Sequence, residues 1–138
     1  MFCGADNFNQ PLNNWNVSNV IDMGDMFAWV FKFNQPLNNW NVSNVTNMEG
    51  MFSHACNFNQ PLNNWNVSNV INMIDMFNYA DNFNQSLNNW NVSNVTNMDE
   101  IFCGFFGISV FNNSSKNIKT FNKNIYECSK VKKIYLII

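Results

Sequence analysis

The sequence predicts an α/β solenoid of about four 25-residue coils, each holding one short strand and one short helix. Three observations predict it. The block Phe8-Asn9-Gln10-Pro11-Leu12-Asn13-Asn14-Trp15-Asn16-Val17-Ser18-Asn19-Val20 recurs from Phe33, Phe58 and Phe83, each time 25 residues on, with Ser86 in place of Pro as its only change. After each block, apolar residues fall at i, i+3, i+4 and i+7 (Met23, Met26, Phe27, Val30 and their echoes), the spacing of one helix face. Within each block, Trp15 and Val17 alternate with Asn14, Asn16 and Ser18, the period of a half-buried strand.

Taken in order, a coil opens on a turn at Asn-Gln-Pro, runs through the strand, bends again at Ser-Asn and closes on the helix. Asp22, Asn47, Asn72 and Asn97 stand where an N-cap belongs. Six of the nine acids (Asp22, Asp25, Glu49, Asp75, Asp99, Glu100) sit at or near that helix start, where the macrodipole favours negative charge. Phe8, Leu12, Trp15, Val17, Val20, Met23, Met26, Phe27 and Val30 form the inward set of the first coil. One coil buries too little to offset its ordering entropy, so neighbours must stack and cover both apolar faces. The coils run 8–32, 33–57, 58–82 and 83–107 after a partial coil 1–7, so that residues 1–111 form the repeat body.

Stacking also gives the asparagines a purpose. There are 32 of them, against 12% charged residues and no arginine. Copies one coil apart would lie ~4.8 Å from each other, so Asn13, Asn38, Asn63 and Asn88 are expected to form an amide ladder, as are the columns of Asn16 and Asn19. Asparagines at the bends (columns 9, 14 and 19) are expected to satisfy backbone groups. The outward residues Asn16, Ser18, Asn41, Ser43, Asn66, Ser68, Asn91 and Ser93 are the candidate partner-binding strand face.

The pattern Met-Phe-x-x-Ala-x-x-Phe-Asn-Gln-x-Leu-x-x-Trp-Asn-Val-Ser-Asn-Val-x-x-Met resembles the 25-residue repeat of mycoplasma surface lipoproteins, grouped with the BspA-like leucine-rich-repeat surface proteins and found also in large DNA viruses and some protists. Leu12-x-x-Trp15-x-Val17 takes the place of the family's Leu-x-x-Leu-x-Leu strand. The resemblance covers about residues 1–105. It implies a right-handed, leucine-rich-repeat-like solenoid, a role in binding proteins or host surfaces, and no catalytic residues. The chain departs from that pattern at both ends: Met1-Phe2 already sits inside a coil, and after Phe102 the pattern decays.

Charge divides the chain. Residues 112–138 hold six lysines and Glu127, or +5; residues 1–111 hold eight acids and Lys32, or −7; the whole is −2. Ile118, Phe121, Ile125 and Cys128 follow helical spacing, so the tail is expected to cap the last coil. No apolar run approaches the ~20 residues of a membrane span. The lack of arginine and a pI of 5.1 argue against nucleic acid. Cys3, Cys56, Cys103 and Cys128 contain no Cys-x-x-Cys pair, so metal is not expected and free thiols are the default. Cys3 and Cys103 are four coils apart, beyond the ~7 Å that a disulfide spans. His54, in a variable helix position, reads as a surface residue. Unpaired cysteines and the absence of a signal peptide point to an intracellular or shortened chain, whereas the resemblance points to the cell surface. The expectation is therefore a repeat module without enzyme activity, cofactor or small-molecule substrate, recognising an unidentified protein as an adhesin does. An intracellular scaffold binding through the variable edge, and a remnant fragment, are the alternatives.

Overall fold

The fold was obtained as a computed structural model, and the description covers residues 1–104. Residues 25 apart sit above one another in register. Asp22, Asn47, Asn72 and Asn97 form successive parallel bridges from one layer to the next. Two phenylalanine columns run up the interior. Phe27, Phe52, Phe77 and Phe102 stack with ring centroids 5.5 to 5.6 Å apart. Phe33, Phe58 and Phe83 stack at 5.9 to 6.0 Å. Within each layer the two columns touch, as at Phe52–Phe58, 4.2 Å. Offset-stacked rings of this kind add ~0.5–1.5 kcal/mol per pair to their burial. Leu37, Trp40, Val42, Val45, Met48 and Met51 complete a layer's core, all at most 3% exposed. Residues 105–111 and the expected tail helix lie outside the described residues.

The α/β solenoid with a strand and a helix in every coil does not form. Among the described residues there is no helix and no sheet, only those isolated bridges. Each layer is instead a succession of tight turns. Trp40 donates its amide to the Leu37 carbonyl, Val45 to Val42, Met51 to Met48, Ala55 to Phe52 and Phe58 to Ala55, always three residues back. Such turns return every third residue to the same side, which reproduces the i, i+3 part of a helical pattern without a helix. What prevents a helix is left-handed backbone at two places per layer: Asp25, Gly50, Asp75 and Glu100 have φ of 52 to 58°, and Trp29, His54 and Tyr79 have φ of 54 to 59°. A right-handed helix admits neither. The expected cap residues still cap, but they cap turns: Asp22 Oδ1 accepts the Gly24 amide at 2.8 Å and Asn72 Oδ1 the Ile74 amide at 3.0 Å.

The expected strand fails for a different reason. Trp40 and Val42 are buried and Asn41 exposed, so the alternation is real. Yet this half of the layer makes no backbone ladder; side chains join it to its neighbours. Trp40, Trp65 and Trp90 donate their indole Nε1–H to the carbonyls of Leu12, Leu37 and Leu62 one layer below, at 2.9 to 3.0 Å. Asn9, Asn34 and Asn59 accept, on Oδ1, the amides of Asn34, Asn59 and Asn84 at 2.9 Å. Gln35, Gln60 and Gln85 donate to the same oxygens. Asn44, Asn69 and Asn94 donate to the carbonyls of Ser18, Ser43 and Ser68 at 2.7 to 2.8 Å.

The other half is joined by backbone. Met48, Gly50, Phe52 and His54 donate alternate amides to Asn72, Ile74, Met76 and Asn78 of the next layer, at 2.7 to 2.9 Å. Any residue type except proline supplies that bond. This division explains why one half of the repeat is invariant and the other varies. The first depends on particular amides and indoles; in the second the interlayer hydrogen bonds are largely main-chain bonds, so its inward columns such as Phe27, Phe52 and Phe77 are held while other positions vary.

Candidate functional site

The predicted face remains at the surface, but not as a strand. Asn16 Oδ1 accepts both the amide and the hydroxyl of Ser18, at 3.1 and 2.7 Å. Asn41, Asn66 and Asn91 likewise accept the amides of Ser43, Ser68 and Ser93 at 3.2 Å. Each asparagine closes its own turn, and the expected Asn16 ladder is absent among the described residues. Asn13 does reach its neighbour layer, accepting the Asn39 amide at 3.1 Å. The four asparagines are exposed; Ser18, Ser43 and Ser68 are half-buried and Ser93 is exposed. Beside this face runs a groove of about 500 Å³, lined by Asn44, Thr46, Asn69, Ile71, Asn94 and Thr96, without a charged group.

The variable half gathers a different set of groups. Residues 8–21, 33–46, 58–71 and 83–96 carry no charge. All eight acids of the repeat body (Asp6, Asp22, Asp25, Glu49, Asp75, Asp81, Asp99, Glu100) therefore fall in the variable half of the layers, with Lys32 as its one lysine. Among the described residues no ion pair neutralises them. Some are held by amides: Asn47 donates to Asp22 at 2.9 Å, Asn72 to Glu49 at 2.9 Å and Asn78 to Asp75 at 2.7 Å.

In the same half stands an aromatic column that sequence reasoning missed. Trp29 stacks on His54 at 3.6 Å and 12°, and His54 on Tyr79 at 4.9 Å and 21°. Phe31 meets Trp29 edge-on at 6.1 Å. Trp29 is 47% exposed and Phe31 36%. All three stacked residues occupy left-handed backbone, whereas the ends of their column are Gly4 and Gly104, both at φ 73°. Glycine adopts that conformation freely, while a bulky residue held there costs about 1–3 kcal/mol. The signal was present in the sequence as Gly4, Trp29, His54, Tyr79 and Gly104 at 25-residue intervals, but their chemical variety hid it.

His54 is thus half-buried within a stack and not a plain surface residue. Its Nδ1 pairs with the Ser53 hydroxyl at 3.0 Å. Burial pulls its pKa below the usual 6.5, against the pull of Asp81 and Asp75. Cys56 lies nearby, its thiol donating to the carbonyls of His54 and Tyr79 at 3.5 and 3.6 Å. Burial, with Asp81, pushes that thiol up. Cys3 and Cys56 are free thiols. Cys103 is disulfide-bonded, which corrects the free-thiol expectation at that position. Among the described residues no group of His, Cys, Asp and Glu is placed to hold a metal, and no helix is long and apolar enough to cross a membrane.

A chain whose layers repeat in a fixed 25-residue register, with one half devoted to stacking, is a repeat protein. It belongs to the family described as "Mycoplasma protein of unknown function, DUF285", whose model matches residues 1–73 and again 37–136. The match is to a mycoplasma-type repeat family and does not single out the BspA-like proteins. No curated protein and no solved structure matches the chain.

Proposed function

We propose that the chain is a non-enzymatic module for protein–protein recognition, and that it meets its partner through the variable edge, centred on Trp29, His54 and Tyr79. The observation that carries this reading is the aromatic column on left-handed backbone. The interlayer hydrogen bonds there are main-chain bonds that glycine would keep, and glycine at both ends of the column is the less strained choice. Exposed aromatic side chains are the residues on which protein interfaces most often depend. The Asn/Ser face is the second reading, favoured by its regularity alone, because its side-chain acceptors already serve its own turns. An adhesin-like surface role, which the resemblance to BspA-like proteins implies, fits an edge of this kind and is part of the proposal.

The two faces are separated by comparing two variants of the full chain as baits for host-cell proteins. One carries Trp29→Gly, His54→Gly and Tyr79→Gly; the other carries Asn16→Ser, Asn41→Ser, Asn66→Ser and Asn91→Ser. The expected result is that proteins retained by the unaltered chain are lost from the first bait and kept by the second. The reverse pattern rejects the edge in favour of the Asn/Ser face.

A further inference from the structure

We infer that the partner surface met by this edge is cationic, a Lys/Arg-bearing segment of another protein, with one such side chain stacked on the open face of Trp29; this rests on the edge being the recognition surface. Two independent features argue it. The first is the geometry of the aromatic column. His54 covers one face of Trp29 at 3.6 Å. One layer below, none of the described residues places a heavy atom within 4 Å of where a Cβ on Gly4 would stand. The contrast with the other end is plain: Tyr79 ring atoms lie 2.5 to 2.7 Å from the corresponding point on Gly104, so that glycine is covered. The column therefore leans toward the later layers and leaves the face of Trp29 turned toward Gly4 open to a planar or compact group. A guanidinium or ammonium over an indole face is held by the ring quadrupole, and indole is the strongest of the aromatic partners.

The second feature is charge complementarity. The acids are distributed so that successive layers each place at least one in this half, while the other half is uncharged. Asp81 and Asp75 both act on His54, the ring that covers Trp29, so carboxylates stand beside the aromatic column, and among the described residues no ion pair neutralises them. A cationic occupant complements those charges, whereas an acidic one would be repelled and a flat apolar one would bury unpaired carboxylates.

Calorimetric titration of the full chain with a short synthetic peptide of alternating arginine and glycine tests this, with the glutamate–glycine peptide as its counterpart. The arginine peptide should bind and the glutamate peptide should not, and added salt should weaken the binding. Trp29→Gly keeps every charge and suits the local backbone; it should weaken binding by between about threefold and thirtyfold. Trp29→Phe should recover part of that loss. Equal binding by the unaltered chain and Trp29→Gly overturns the stacking site, and no binding overturns the proposal. Binding that appears only once the six tail lysines are changed to glutamine assigns the edge to the chain's own tail and also overturns it. If the peptide fails while the glycine-substituted edge still loses its captured proteins, the edge remains a recognition surface and only its cationic partner is rejected.

Discussion

At the scale of single residues, asparagines that look alike in sequence do different work. Asn59 accepts the Asn84 amide and the Gln85 side chain and donates its own amide to Asn34, so it joins three layers. Asn64 is exposed and forms no side-chain bond among the described residues. Asn59→Ala should therefore lower stability by about 1–2 kcal/mol, while Asn64→Ala should stay within about 0.5 kcal/mol, as read from urea midpoints. His54 gives a pH signature. Because its folded pKa lies below its unfolded one, the neutral ring's contribution is complete above about pH 6.5 and is lost as pH falls through the folded value. Melting temperatures should thus drop on acidification below neutrality by less in His54→Gln than in the unaltered chain. The two free thiols should differ in rate: iodoacetamide should alkylate exposed Cys3 well before half-buried Cys56, whose thiolate burial disfavours.

At the scale of the element, the 25-residue register and the inward set were legible because Phe, Leu, Trp, Val and Met hold fixed columns. The type of element was not. Met48, Met51, Phe52 and Ala55 carry the spacing of a helix, but consecutive three-residue turns produce the same recurrence, and only the φ of Gly50 and His54 decides between them. The capping role of Asn47 was readable, since an Asx side chain caps a turn as it caps a helix. The ladders were half readable: Asn13 and column 19 do reach a neighbouring layer, though through backbone groups and not amide to amide, whereas Asn16 turns its oxygen on Ser18, a local bond that competes with stacking. Gly50 shows how tightly the layers fit. Its φ is shared by Asp25 and Asp75, so φ alone does not demand glycine, but a Cβ there would run into the Asp25 carboxylate. The phenylalanine spine carries most of the packing. Phe52, fully buried, touches Phe27, Phe58, Trp65 and Phe77. Phe52→Ala should cost about 3–5 kcal/mol by chemical denaturation.

At the scale of the whole molecule, the two halves of the layer are joined in different ways. The uncharged half is joined largely by side-chain hydrogen bonds; the acidic half is joined by main-chain bonds, by the stacked phenylalanines and by a few amide–carboxylate bonds. That segregation could not be read from composition, because a net charge of −2 averages the acidic half with the lysines beyond residue 111. It becomes visible once the 25-residue register is laid on the sequence. Repulsion within that half should make the protein salt-sensitive: passing from about 0.01 M to 0.15 M salt shortens the screening length from about 30 to 8 Å and should raise the melting temperature.

The turn-built layer is what divides the two halves, and solution NMR of residues 48–55 tests it most directly. Three-bond HN–Hα couplings and Cα shifts should place Gly50 and His54 in the left-handed region, with Overhauser contacts between the amide of Phe52 and Met76 in the next layer. Uniformly helical couplings through Met48 to Ala55, with local contacts only, would contradict it.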